Sequence, residues 1–261
     1  MAYPRRVSSS THAPAGPHAA ARTAVVWQVL SGELTRLGGD GLRVVDVGGG
    51  TGGFAVPLAQ LGHQVTVVDA SPDALAALTR RATEAGVAGL VTAVQGDGDA
   101  LAELVAPDSA DLVLCHSLLE MVDDPAGVAA ALTTILRPGG AASVVVANRV
   151  AAALARAING QVDAAVDLLG EPALSVRREP AAGAGRGAVR RRFDVASATE
   201  LLTAAGLTVA GIHGVRVVAD LVPGAVLERE HEALLAFELA AAGRQPYRDI
   251  ATQLHLLARR P

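Results

Sequence analysis

At 261 residues, 51% of them hydrophobic and 18% charged, the chain is long enough to bury one sizeable core, and a single α/β domain is the default. A net charge of −4 argues against a general nucleic-acid binder, although a local basic patch could still hold phosphates. A single cysteine, Cys115, inside the apolar run 110–115, rules out a disulfide framework and a thiolate metal site; no metal is expected, and Cys115 reads as a buried strand residue.

Residues 1–20 are rich in Ser, Pro, His and Ala without apolar periodicity, which predicts a disordered leader ahead of a domain over 21–261. Arg5 and Arg6 are followed by Ser8, Ser9 and Ser10 rather than an apolar core, so no secretory signal is expected. Apolar stretches end well before the ~18 residues of a bilayer span, and a cytoplasmic protein without membrane contact is the default. Val25, Val26, Val29, Leu30 and Leu34 recur at helical spacing, predicting a helix over 24–37. Beyond it, β-branched runs alternate with Ala/Leu-rich segments, the pattern of a parallel sheet covered by helices. Strands are predicted at 43–47, 64–69, 91–94, 110–115 and 142–147, with helices at 52–61, 72–85, 99–105 and 126–136.

Pro57 requires the first of these helices to begin near it or to kink. Ser71 before Pro72 reads as a cap and first turn, and Arg137-Pro138-Gly139-Gly140 as a helix end ahead of the fifth strand. After Asn148 comes a helical stretch at 150–169, then an irregular Pro/Gly/Arg-rich segment at 171–192. Residues 150–192 are therefore read as an insertion over the active site. Ser197 and Glu200 have capping-box spacing for a helix ending at Gly206. Stretches 207–211 and 215–218 suggest a sixth strand, 225–243 a helix and 253–258 a last strand.

The segment from Arg43 to Gly53 places a glycine run directly after a buried strand and before a helix. Glycines there permit positive φ and close approach of backbone to a ligand, and the helix start offers free N–H donors. Gly48, Gly50 and Gly53 satisfy G-x-G-x-x-G, a signal shared with dinucleotide-binding proteins. Asp69 ends the second strand, where a carboxylate can accept both ribose hydroxyls of a nucleoside; helix capping is the alternative, though Ser71 already supplies a cap. Asp97-Gly98 follows the third strand and could meet an adenine edge or simply be solvated.

Asp46 with its glycine loop, Asp69, Asp97 and Leu136-Arg137-Pro138-Gly139-Gly140 together resemble class I S-adenosylmethionine (SAM)-dependent methyltransferases. The resemblance implies a Rossmann-like α/β fold: a seven-stranded, mostly parallel sheet with an antiparallel last strand, helices on both faces, and S-adenosyl-L-methionine as cofactor. A closer resemblance is carried by Arg22-Thr23-Ala24-Val25-Val26-Trp27-Gln28, His116-Ser117-Leu118-Leu119-Glu120-Met121-Val122 and Gly214-Val215-Arg216-Val217. Gln245-Pro246-Tyr247-Arg248, His255 and Ala258-Arg259-Arg260-Pro261 extend it. These stretches are similar to the bacterial tRNA 5-carboxymethoxyuridine methyltransferase family. That similarity implies cofactor contacts at Arg22, Gly48, Gly49, Asp69, Asp97, Gly98 and His116, to which the loop adds Asp46 and Gly50. Arg22 could grip the methionine carboxylate of SAM through a bidentate contact. His116 follows the fourth strand at the open carboxyl edge, where ligands bind; a satisfied core histidine is the alternative.

The family methylates a carboxylate on a modified wobble uridine. A carboxylate is ionised at neutral pH and needs no general base, so no catalytic residue is assigned. Asn148 and Arg149 by position, and Arg216 and Tyr247 by resemblance, are candidates to face the substrate. Arg177, Arg178, Arg186, Arg190, Arg191 and Arg192 could hold phosphates. The expected partner is tRNA; nothing in the sequence fixes an oligomeric state. The alternatives are a small-molecule O- or N-methyltransferase and a non-catalytic SAM- or dinucleotide-binding regulator. Departures from the family pattern fall at Met121, where a tryptophan is usual, and at Val217-Val218-Ala219-Asp220-Leu221, which lacks its aromatic and histidine residues. With 2% aromatic residues, few stacking platforms for bases remain.

Overall fold

The computed structural model describes residues 17–170, 177–178 and 189–261. Its first helix, α1 (Pro17–Leu37), begins a few residues ahead of the predicted domain start, and residues 1–16 of the predicted leader lie outside the described residues. Seven strands follow: β1 (Arg43–Val47), β2 (Gln64–Asp69), β3 (Val91–Gln95), β4 (Ala110–His116), β5 (Leu136–Ala147), β6 (Thr208–Val215) and β7 (Gln253–Arg259). They form one sheet in the order β3-β2-β1-β4-β5-β7-β6. Only β7 runs antiparallel to its neighbours, so the ends of β1 to β6 and the start of β7 share one edge.

Central strands buried on both faces read as unbroken apolar runs, and alternate residues serve opposite cores. Val45, Val47, Val113, Cys115, Val144 and Val146 pack with the buried residues of α5 (Pro125–Ile135) and α8 (Val195–Ala204). Val44, Leu112, Leu114 and Val145 pack with those of α1, α2 (Ala55–Gln60) and α3 (Pro72–Glu84). Buried Glu33 ties α1 to β7, accepting from Arg259 Nε at 3.0 Å and Nη2 at 2.9 Å and from Arg36 Nε at 2.7 Å. Burial alone would raise the Glu33 carboxyl, but the bonds from Arg259 and Arg36 outweigh it and hold it below the ordinary value.

The Ser71 cap forms as expected, its hydroxyl accepting from Ala74 N at 3.2 Å, and Pro57 lies in the first turn of α2. Arg137-Pro138-Gly139-Gly140 does not close a helix. It belongs to β5, paired to the chain end through Gly139 N–Arg260 O and Arg260 N–Gly140 O, each 3.0 Å. The ladder absorbs it with a register shift between Ala110 and Leu112. Predicted helix 99–105 is a 3₁₀ turn (Gly98–Ala100) running into α4 (Leu101–Leu104). The cap of α8 is Asp194, with Ser197 completing the box from the third helical position, so Ser197 and Glu200 are not the capping pair.

The predicted stretch 150–169 forms α6 (Arg149–Ile158) and α7 (Val162–Gly170). Arg177–Arg178 pairs antiparallel with Val189–Arg190; Arg186 and the rest of 171–188 lie outside the described residues. Helix 225–243 divides into α9 (Gly224–Arg229) and α10 (His231–Ala241), and an unforeseen α11 (Tyr247–Ile250) precedes β7. Among the described residues no helix is long and apolar enough to cross a membrane.

Candidate functional site

The shared edge brings together residues far apart in sequence. Gly48 follows β1, Asp69 ends β2, Asp97 lies just past β3, His116 ends β4, Asn148 follows β5 and Arg216 follows β6. Backbone bonds lace these ends: Gly48 N to Val68 O at 2.7 Å, Ser117 N to Val145 O at 2.8 Å, Asn148 N to Thr252 O and Thr252 N to Arg216 O, both 3.1 Å.

Gly48 and Gly50 adopt φ of +72° and +55°, where L side chains are rare. At Gly49 the constraint is space, since a Cβ would sit 2.5 Å from Asp46 Cγ. The third tight glycine is Gly52 rather than Gly53: a Cβ on Gly52 would meet Leu78 Cδ1 at 2.3 Å, whereas Gly53 faces open space. The helix that follows, α2, is only six residues long and starts at Ala55, two residues past the glycine run.

Asp46 lies beneath the loop, 3% exposed; burial first and Asp69 second push its carboxyl up to about 7. Asp69 accepts from Gly50 N at 2.8 Å through Oδ2 and from Ser71 N at 2.9 Å through Oδ1. Each oxygen retains a lone pair for a further donor. Asp97 caps the 3₁₀ turn, accepting from Asp99 N at 3.3 Å, and a Cβ on Gly98 would come within 3.0 Å of Leu118 Cδ2.

An aromatic and imidazole row leads inward from α1. Trp27 stacks on Phe54 at 5.0 Å, and Phe54 meets the His116 ring edge-on at 4.6 Å. His116 Nε2 is 2.8 Å from Ser143 Oγ, which is 2.9 Å from His255 Nε2; His255 Nδ1 is 3.4 Å from His213 Nδ1. Burial pushes His116 down to about 3 and lowers His255 and His213 as well, so all three rings are neutral at pH 7. His116 Nδ1 is buried without a hydrogen-bond partner. Ser143 and His213 carry no motif; a serine inside the Ala/Val run of β5 is the one local signal for this row.

At the far end of the edge, Arg216 has φ of +60° and its Nη1 lies 3.2 Å from Asp220 Oδ2. Arg22 approaches Asp220 Oδ1 at 3.6 Å, so two guanidiniums share one carboxylate. Arg216 Nε is buried without a hydrogen-bond partner. Fully buried Glu238 on α10 shapes this turn by accepting from Val217 N at 2.7 Å and from Val218 N and Ala219 N at 2.9 Å. No sequence signal marked Glu238 or Asp220 for these tasks.

Asn148 and Arg149, expected to face the substrate, are instead used in construction. Asn148 is 1% exposed; its Oδ1 caps α6 through Val150 N at 3.0 Å, and its Nδ2 donates to Asp249 O at 2.9 Å and Ala251 O at 2.8 Å. Both amide hydrogens are thereby spent. Arg149 pairs with the Asp194 carboxylate. Arg191, from the expected phosphate-binding cluster, donates to Val122 O and, at 2.7 Å, to Asp123 O. Tyr247 is exposed, its ring edge-on to Phe237 at 6.1 Å.

A methyltransferase-domain family model matches residues 45–144. The chain is 31% identical over 249 residues to the tRNA 5-carboxymethoxyuridine methyltransferase of Escherichia coli (strain K12), covering 92% of this chain and 88% of that protein. It is 39% identical over 126 residues to the ubiquinone biosynthesis O-methyltransferase of Xanthomonas euvesicatoria pv. vesicatoria (strain 85-10), covering 48% and 52%. A crystal structure of an S-adenosylmethionine-dependent methyltransferase from Mesorhizobium loti superposes with a TM-score of 0.60 at 22% identity, covering 94% of this chain and 100% of that one. That last likeness concerns the fold.

Proposed function

Because this chain belongs to the class I SAM-dependent methyltransferases, we propose that it transfers the methyl group to a carboxylate oxygen of 5-carboxymethoxyuridine in tRNA. The observation that carries this acceptor is the likeness to the E. coli enzyme across 92% of the chain, well beyond the methyltransferase core at 45–144.

SAM, when bound, supplies an electrophilic methyl group on a sulfonium. The residues present suit it. Gly48 and Gly50 turn through positive φ and Gly49 packs against Asp46, so the turn carries bare backbone, Asp69 keeps acceptor capacity for ribose hydroxyls, and His116 Nδ1 awaits a partner. In this reading Asp46 lies under the cofactor's amino-acid end, Asp97 and Gly98 border the adenine, and Arg22 reaches the methionine carboxylate.

The acceptor needs no deprotonation: its oxygen forms a bond to the methyl carbon as the carbon–sulfur bond breaks. An anion and a cation become a neutral ester and a neutral thioether, so charge falls on the way to the transition state. Such a step gains from exclusion of water and from orientation without an overtight grip on the anion. Arg216 meets that requirement, its guanidinium tempered by Asp220 alongside. His116, held neutral, adds no competing charge. Tyr247 is read as a further acceptor contact, and α6 and α7, the described helices of the stretch after β5, as the wall over the acceptor.

The test is transfer of labelled methyl from SAM to tRNA containing 5-carboxymethoxyuridine, followed by nucleoside mass spectrometry. An alkali-labile methyl on that nucleoside is expected; no methyl in any tRNA overturns the acceptor. A second reading, a small-molecule O-methyltransferase, draws on the 39% identity to the ubiquinone enzyme, and transfer to a phenolic or carboxylic metabolite alone would establish it. Asp69→Ala should weaken SAM binding by roughly 1–3 kcal/mol by calorimetry through lost ribose bonds; unchanged affinity would reject that role.

A further inference from the structure

We propose that Ser143, His255 and His213 are positioning residues for His116, forming a hydrogen-bonded relay across β5, β7 and β6 that locks its ring in one tautomer and leaves Nδ1 as its open polar atom. The inference rests on the reading of His116 as a cofactor contact.

The four residues stand on the face of the sheet covered by α1, whose other members there, Leu112, Leu114, Val145 and Leu257, are apolar. Strand register alone assembles them. His116 lies opposite Val145, Val145 opposite His255, and His255 opposite His213, with Ser143 two residues back along β5. Ser143 and His255 are fully buried. Polar groups so placed destabilise the fold unless each is bonded, and aliphatic residues would fill the same space without that demand.

Proton counting gives the row a direction. A serine hydroxyl has one hydrogen and two lone pairs; buried between His116 Nε2 and His255 Nε2, Ser143 keeps that hydrogen bonded only by donating to one nitrogen while accepting from the other. A neutral imidazole likewise carries one N–H and one lone pair. The three contacts at 2.8, 2.9 and 3.4 Å are therefore all satisfied in only two ways. Either every hydrogen points toward His116, making its Nδ1 a donor, or every hydrogen points away, making it an acceptor. Protonation to an imidazolium, which would break the pattern, is opposed by burial of all three rings. The unpartnered Nδ1 is the terminus of this chain. Its hydrogen-bonding character toward a ligand is thereby tied to residues on β5, β7 and β6.

The experiment is imidazole ¹⁵N–¹H correlation on the full chain labelled at histidine, without cofactor, with the His116 signals identified by their loss in His116→Asn. Wild type should show one pyrrole-like and one pyridine-like nitrogen for His116. Ser143→Ala should draw the two frequencies together, and His213→Phe, which keeps ring volume on the edge strand, should do the same more weakly. In Ser143→Ala the KM for SAM should rise about five- to tenfold with little change in kcat, the scale of one hydrogen bond. Unchanged nitrogen frequencies in both variants overturn the relay. Merged frequencies with an unchanged KM uphold the relay and overturn the cofactor role of His116.

Discussion

The two halves of the sheet's carboxyl edge are built on opposite plans. From β1 to β4, polar groups keep unused capacity: Asp69 accepts one hydrogen per oxygen, His116 Nδ1 has no partner, and Asp46 sits under a loop that admits no side chain at Gly49. Around β5 the equivalent positions are spent on the fold itself. Asn148 joins α6 to the carbonyls of 249 and 251, Arg149 pairs with Asp194, and Arg191 holds the carbonyls of Val122 and Asp123. Standing just past a strand end therefore does not make a polar residue a ligand contact. At Asn148, where the next residue opens α6, the side chain is taken up as the helix cap and by two carbonyls.

Asp46 offers the largest test of this contrast. In the unfolded chain its carboxyl ionises near 3.8, and in the folded chain near 7, so between these values the folded state holds a proton that the unfolded state has lost. Folding stability contributed by this group thus falls as pH rises from about 4 to about 7, by up to roughly 4 kcal/mol. Thermal unfolding without SAM should show Asp46→Asn gaining on wild type at pH 8 and not at pH 4. A difference independent of pH would mean that the carboxyl is not held above its ordinary value.

Asn148→Ala comes next. Losing a cap and two amide bonds should cost about 2–3 kcal/mol in denaturant unfolding while the KM values for SAM and for the acceptor stay within twofold. A stable variant with impaired acceptor KM would move Asn148 to the ligand side of the comparison. The smallest effect is expected for Arg191→Ala, about 1–2 kcal/mol of stability from two lost donations to carbonyls. With the proposed tRNA acceptor, affinity should retain the wild-type salt slope; a slope lower by about one would show a phosphate contact instead.

Local chemistry made much of this legible. The glycine turn after β1, the Ser71–Pro72 helix start and the strand alternation are written in adjacent residues, and each forms where that chemistry puts it. The antiparallel last strand came from the family resemblance and is present. Misreadings share a cause, namely a local signal overruled by a partner distant in sequence. Pro138 and the two glycines after it resemble a helix stop, yet the chain end pairs with them as sheet. Ser197 is the exception, a local signal overruled by a local rival, since Asp194 only three residues earlier takes the cap. The histidine row and the three amides collected by Glu238 were invisible for the same reason, since 116, 143, 213 and 255 meet only through strand order.

Just past β5, Asn148 forms an isolated parallel bridge with Phe193. Phe193 N donates to Ala147 O at 2.9 Å and Arg149 N to Phe193 O at 2.7 Å, so the chain leaves the sheet and rejoins it at the same rung. With its exit and re-entry clamped side by side, the span between them can lengthen, shorten or be exchanged at a closure penalty that grows only slowly with length. Evolution could regraft that span wholesale while strands and glycine turn stay in place, which gives one scaffold a cheap route to new acceptors.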